Sequence, residues 1–223
     1  MKKPKNEIKA VIFDMDGLIV DTEIVESRSL ELILSEYGKK PKPFKNGLLH
    51  IIGGSGNQSY SDIMKKYNFN EDVDIFKKRK REIFEELLRV KLEPLPGFTK
   101  LITLLKKQGF KIALASNRYE KHIYLILENL GIKNLFDVIV GPSELRRHKP
   151  YPDIFLHTAN ELKVNPYNCV VLEDTDIGVA AAKAAGMKII AVPNQYTKEH
   201  DFSKADIVTK SLENVTITML KSL

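Results

Sequence analysis

The run Ala10-Val11-Ile12-Phe13-Asp14-Met15-Asp16-Gly17 constrains this chain more than any other stretch. Four consecutive apolar residues end in two acids, one residue apart, followed by glycine. An unbroken apolar run of this kind predicts a strand buried on both faces, and such strands belong to parallel sheets covered by helices. Carboxylates at the end of that strand are costly to bury unless a cation or a proton offsets them. Open α/β sheets take their ligands at the carboxyl ends of strands, so the two acids mark the first place to look for chemistry.

The text after Pro96 keeps the same character. Thr99–Lys107, Glu120–Leu130, Asp153–Leu162 and Ile177–Ala185 carry helical patterns, and Gly131 and Gly186 are stop signals. Between them lie strand-like runs at 110–115, 136–140, 169–172 and 188–192, with 206–208 as a short edge candidate. Alternation of this kind predicts a Rossmann-like α/β core with a parallel sheet. The stretch between the first strand and Pro96 differs. Asp21–Tyr37 and Phe76–Leu92 read as amphipathic helices, and no convincing strand separates them. The expected organisation is a core of residues 1–18 and 93–223 interrupted by a helical insert at 19–92, with 91–97 as the return hinge.

Composition narrows the function classes. The chain has 223 residues, 43% hydrophobic and 29% charged, enough for one sizeable core plus a smaller insert. No apolar stretch is long enough for a membrane span, and the basic start at Met1–Lys9 lacks the apolar segment of a secretory signal, so a cytoplasmic protein without membrane partners is expected. A monomer is the default expectation. Cys169 is the sole cysteine, which rules out an internal disulfide and a cysteine metal cluster and predicts a buried small hydrophobe. The net charge of +6 is spread along the chain. In Lys77-Lys78-Arg79-Lys80-Arg81 the basic run is followed by Glu82, Glu85 and Glu86, a pattern for a solvated helix face with ion pairs rather than for nucleic-acid binding.

Four features follow strands of the expected parallel sheet and so converge at one edge: Asp14 and Asp16, Ser116-Asn117, His148-Lys149-Pro150, and Glu173-Asp174. Several carboxylates without a histidine or cysteine cluster suit a hard cation, Mg²⁺ first. A lysine and a hydroxyl suit a phosphoryl group, and the cation with Lys149 would reverse the repulsion between carboxylates and phosphate. An aspartate could then attack phosphorus, with Asp16 passing a proton to the leaving oxygen and later activating water. For Arg146-Arg147-His148 a solvated loop is the first reading and a wider positive field at the mouth the second, and the same two readings stay open for Arg118. Gly53-Gly54-Ser55-Gly56, ahead of a helix at 58–67, lacks the lysine of a nucleotide-binding P-loop; a plain loop and a substrate-facing loop both stay open.

Phe13-Asp14-Met15-Asp16-Gly17-Leu18-Ile19-Val20-Asp21-Thr22-Glu23 resembles the opening motif of the haloacid dehalogenase superfamily, in the branch with a helical cap after the first strand. Ser116, Lys149 in Lys149-Pro150-Tyr151-Pro152-Asp153, and Glu173-Asp174-Thr175-Asp176 resemble its second, third and fourth motifs, with threonine where serine is commoner. The resemblance implies a small phosphomonoester as substrate, Asp14 as nucleophile and Mg²⁺ ligand, and Asp16 as general acid/base that also offers its backbone carbonyl to the metal. It implies Asp174 as a further ligand, with Glu173 ligating directly or through water. Ser116, Asn117 and Lys149 would hold the phosphoryl group, and the insert would act as a mobile cap whose loop at 50–58 selects substrate. Asp16 disfavours dehalogenation. Mutases of the β-phosphoglucomutase type carry a histidine in the helix after the first motif. That stretch here reads Glu23-Ile24-Val25-Glu26-Ser27-Arg28, which favours a phosphatase over a phosphomutase and both over a non-catalytic binding protein.

Overall fold

A computed structural model describes residues 7–41, 56–142, 145 and 147–223, the side chains of 56–59 excepted. The expectations for the glycines at 53–55, for most of the loop at 50–58 and for Arg146 lie outside the described residues. The chain divides into two compact units, Met1–Val20 with Glu93–Leu223, and Asp21–Leu92.

The first unit is built on a six-stranded sheet in which every neighbouring pair is parallel. Its strands are β1 (Ala10–Phe13), β2 (Lys111–Ala115), β3 (Val138–Val140), β4 (Cys169–Glu173), β5 (Lys188–Ala191) and β6 (Ile207–Val208), in the spatial order β3-β2-β1-β4-β5-β6. The first strand in sequence is therefore a central one, and all four of its residues are buried. Ala10 and Ile12 share a core cluster with Ile154 and Phe155 of one helix and Val179 and Ala182 of another. Phe13 meets Phe98 and Phe136 edge-on at ring distances of 5.7 and 6.4 Å. Apolar side chains that alternate between two packed layers explain why the sequence shows no polar alternation here. Cys169 is buried in β4 as expected.

Outside the sheet, the described residues of the second unit carry the helices α1 (Glu23–Glu36), α2 (Gly56–Lys66) and α3 (Val73–Leu87). The first unit carries α4 (Phe98–Lys107), α5 (Glu120–Asn129), α6 (Asp153–Leu162), α7 (Asp176–Ala184) and α8 (Ile217–Ser222). The last of these has no counterpart among the sequence expectations. Where the chain re-enters the first unit, the Leu95 N–H donates to the Ile19 carbonyl at 2.7 Å, so the outgoing and returning segments are tied together.

The second unit has its own core, in which Leu30, Ile33 and Leu34 of α1 cluster with Ile63 and Met64 of α2 and Phe76 and Ile83 of α3. Two expectations are corrected here. The helix placed at 76–92 starts at Val73, because the Asp72 side chain accepts from the Asp74 N–H at 2.7 Å and caps it, and it ends at Leu87. The basic run is not uniformly solvated. Arg79 pairs with Glu36 and Glu82 at the surface, but Lys80 is buried and ion-paired with Glu26 of α1.

Candidate active site

Sheet register assembles the site. β1 is aligned with β2 and β4 so that Phe13 sits beside Leu114 and Leu172. The next residues along these strands, Asp14, Ala115 and Glu173, are the ones that Lys149 joins. Its Nζ donates to Asp14 Oδ1 at 2.5 Å, to the Ala115 carbonyl at 3.1 Å and to Glu173 Oε1 at 2.8 Å. One ammonium thus uses its three protons to fasten the ends of three adjacent strands. Asp14, Lys149, Glu173, Asp174 and Ser116 are all buried.

The neighbours of this row are held in turn. Asn117 Oδ1 accepts from the Lys149 N–H at 3.2 Å, so it positions the lysine through its backbone. Glu173 Oε2 accepts from both the N–H and the hydroxyl of Thr175, at 2.8 and 2.9 Å, and the Thr175 hydroxyl accepts from the Gly178 N–H to cap α7. Threonine does here what a serine hydroxyl would do. Gly178 is required by close approach: a Cβ at this position would overlap the Glu173 carboxylate. Gly17 combines a left-handed backbone, φ 75°, with a Cβ position already occupied by Asp174 and Asn194 side-chain atoms.

Asp16 faces a different cation. Arg118 Nε donates to its Oδ1 at 2.7 Å, the Ser116 hydroxyl lies 3.4 Å from its Oδ2, and the Arg118 N–H donates to that same hydroxyl at 3.1 Å. Arg118 is thereby joined to the site. Arg147 is not a loose charge at the mouth, because it pairs with Asp153 and lies over the Tyr151 ring. Sequence reasoning missed Asn194, whose Nδ2 donates to Asp174 Oδ2 at 2.8 Å and to the Gly17 carbonyl at 3.0 Å.

The electrostatics leave negative charge in excess. Burial raises Asp14 from 3.8 to about 7; the pull of Lys149 opposes this, while Glu173 and Asp16 add to it. Burial also holds Asp174 well above the ordinary carboxylate range, reinforced by Glu173 and Asp14. Burial alone would depress Lys149, but Asp14 and Glu173 outweigh it and keep the ammonium charged. Asp174 Oδ1 is buried and has no hydrogen-bond partner. Among the described residues no three His, Cys, Asp or Glu side chains are gathered as metal ligands. Two carboxylates, with carbonyl and water oxygens completing the shell, nevertheless match the way Mg²⁺ is commonly held, and the orphaned oxygen and surplus charge fit a hard divalent cation.

The chain is similar to known proteins in sequence and in fold. The family model for haloacid dehalogenase-like hydrolases matches residues 11–192. A bifunctional riboflavin kinase/FMN phosphatase from Arabidopsis thaliana is 37% identical over 206 residues, covering 92% of this chain and 54% of the relative; the chain thus spans about half that protein's length. A beta-phosphoglucomutase from Bacillus subtilis is 32% identical over 96% of this chain and 94% of its own. The crystal structure of CbbY from Rhodobacter sphaeroides in complex with phosphate superposes with a TM-score of 0.83 at 24% identity, covering 97% of this chain and all of that one, a likeness of fold.

Proposed function

Because the chain belongs to the haloacid dehalogenase-like hydrolase family, we propose that it is a Mg²⁺-dependent phosphatase of small phosphomonoesters, sugar phosphates or similar metabolites, working through a phosphorylated Asp14. The observation that carries this reading is the Lys149 ammonium shared by Asp14 and Glu173 at the ends of three parallel strands.

Asp14 is the nucleophile. One of its oxygens attacks phosphorus as the P–O bond to the leaving alcohol breaks, and Asp16 donates the proton that the alcohol oxygen takes up. Asp16 then accepts a proton from the water that attacks the aspartyl phosphate, returning Asp14 and releasing inorganic phosphate. Lys149 and Ser116 offset charge on the phosphoryl oxygens, with Asn117 holding Lys149 in place. Asp14, Asp174 and the backbone carbonyl of Asp16 would hold Mg²⁺, with Glu173 adding charge or a water-mediated bond. When bound, the cation supplies the positive charge that lets a phosphate dianion approach an ionised carboxylate. The helical unit would act as the cap that selects substrate.

The test is phosphate release from a panel of sugar and other small phosphomonoesters with Mg²⁺. The Asp14→Asn variant is expected to lose at least a thousandfold in kcat, on the order seen when a covalent nucleophile is removed. Phosphate release at the parent rate would sink the proposal. A second reading, phosphomutase, is favoured by the Bacillus subtilis relative. Incubation with β-glucose 1-phosphate and a bisphosphate primer separates the two: glucose 6-phosphate marks a mutase, free phosphate a phosphatase.

A further inference from the structure

Asn194 follows β5, in Val192-Pro193-Asn194, and every polar group of its side chain is engaged. Its Oδ1 accepts from the N–H groups of Tyr196 and Thr197 at 2.8 and 3.2 Å, while its own N–H donates to the Thr197 hydroxyl at 3.1 Å. Its Nδ2 donates to Asp174 Oδ2 and to the Gly17 carbonyl. Two donors face the amide oxygen and two acceptors face the amide nitrogen, so the flipped orientation would set like against like at both ends. The amide is fixed, and it fixes Asp174 in turn: one carboxylate oxygen is held at 2.8 Å, and the other is the buried oxygen without a partner.

We propose that Asn194 is a positioning residue that sets the Asp174 carboxylate for the divalent cation and locks it to the Gly17 turn that carries Asp14 and Asp16. The inference rests on the cation proposed above. A neutral amide suits this place. It satisfies one oxygen and leaves the other as an acceptor, without bringing a positive charge to compete with a metal. Outer partners of ligating groups commonly change metal affinity by 10- to 100-fold when removed.

The experiment is calorimetric titration of Mg²⁺ into the substrate-free protein. Asn194→Ser keeps a hydroxyl able to accept from the backbone N–H groups of Tyr196 and Thr197, so the turn is preserved, but it has no amide to reach Asp174 and Gly17. Its Mg²⁺ Kd is expected to rise roughly 10- to 100-fold. Thr197→Val loosens the same turn without touching Asp174, and its Kd is expected to stay within about twofold of the parent, since it leaves the outer partner of the carboxylate in place. The inference is overturned if Asn194→Ser binds Mg²⁺ like the parent, or if Thr197→Val weakens binding as much, which would make the turn itself the cause. A parent protein that takes up no Mg²⁺ would overturn both this inference and the cation it rests on.

Discussion

Gly178 is a position where a single methyl group would be costly. A Cβ there overlaps the Glu173 carboxylate, which anchors both Lys149 and Thr175. Gly178→Ala is expected to cost about 1–3 kcal/mol, measured by urea melts, because the carboxylate can move only by breaking those bonds; phosphate release should fall with it. Asp14 and Asp174 make the second prediction. Both are held above the ordinary 3.8, Asp14 at about 7. The folded protein therefore binds protons that the unfolded chain has already released, and without a cation its stability declines as pH rises from about 4 through 7. The proposed Mg²⁺ would require the ionised forms and so would expel those protons. The rise in Tm at fixed Mg²⁺ should be small at pH 5 and grow toward pH 8; a gain that is flat across this range would contradict the assignment. Asp14, Asp16, Glu173 and Asp174 stood out because acids at the ends of apolar strands are conspicuous, whereas Lys149, nine residues past the end of β3, drew notice only beside them. Asn194 did not stand out: its partner Gly17 lies 177 residues away, and an asparagine in a loop gives no sign of what it will face.

Among the helices, α3 separates surface charge from structural charge. Its basic run looks uniform in sequence, yet Lys78 is exposed while Lys80 turns inward to Glu26. The difference follows from angle alone: Phe76, Lys80, Ile83 and Phe84 are the buried positions of the helix. A helical period predicts that face, but a lysine on it is read as solvated unless its partner on α1 is known. Lys80→Ala should cost on the order of 2–3 kcal/mol, because Glu26 loses its counter-ion while only partly reached by water. Lys78→Ala should stay within about 0.5 kcal/mol. Chemical denaturation of the two variants decides the matter, and equal effects would mean that the buried pair contributes nothing.

For the chain as a unit, the parallel sheet was legible in the sequence but the spatial order of its strands was not. The alternation of strands and helices predicted a parallel sheet, but the bounds of β3 did not follow from it: the run at 136–140 yields a strand of just Val138–Val140. Asp137 is spent on fastening the strand start instead, its carboxylate accepting from the Ile112 N–H at 2.7 Å. Two units with separate cores predict unfolding that is not a single step. Hydrogen exchange under rising denaturant should release the amides of α1 and α3 at a different concentration from those of β1 and β4; one common opening would refute this. The central place of β1 has a further consequence, during synthesis. Phe13 must wait for Leu114 and then for Leu172 before both its edges are paired. At translation rates of about 5–20 residues per second, the second partner emerges roughly eight to thirty seconds later. Through that interval an apolar strand has one edge or none covered, so the segment that carries Asp14 and Asp16 offers a chaperone a hydrophobic strand before its partners exist.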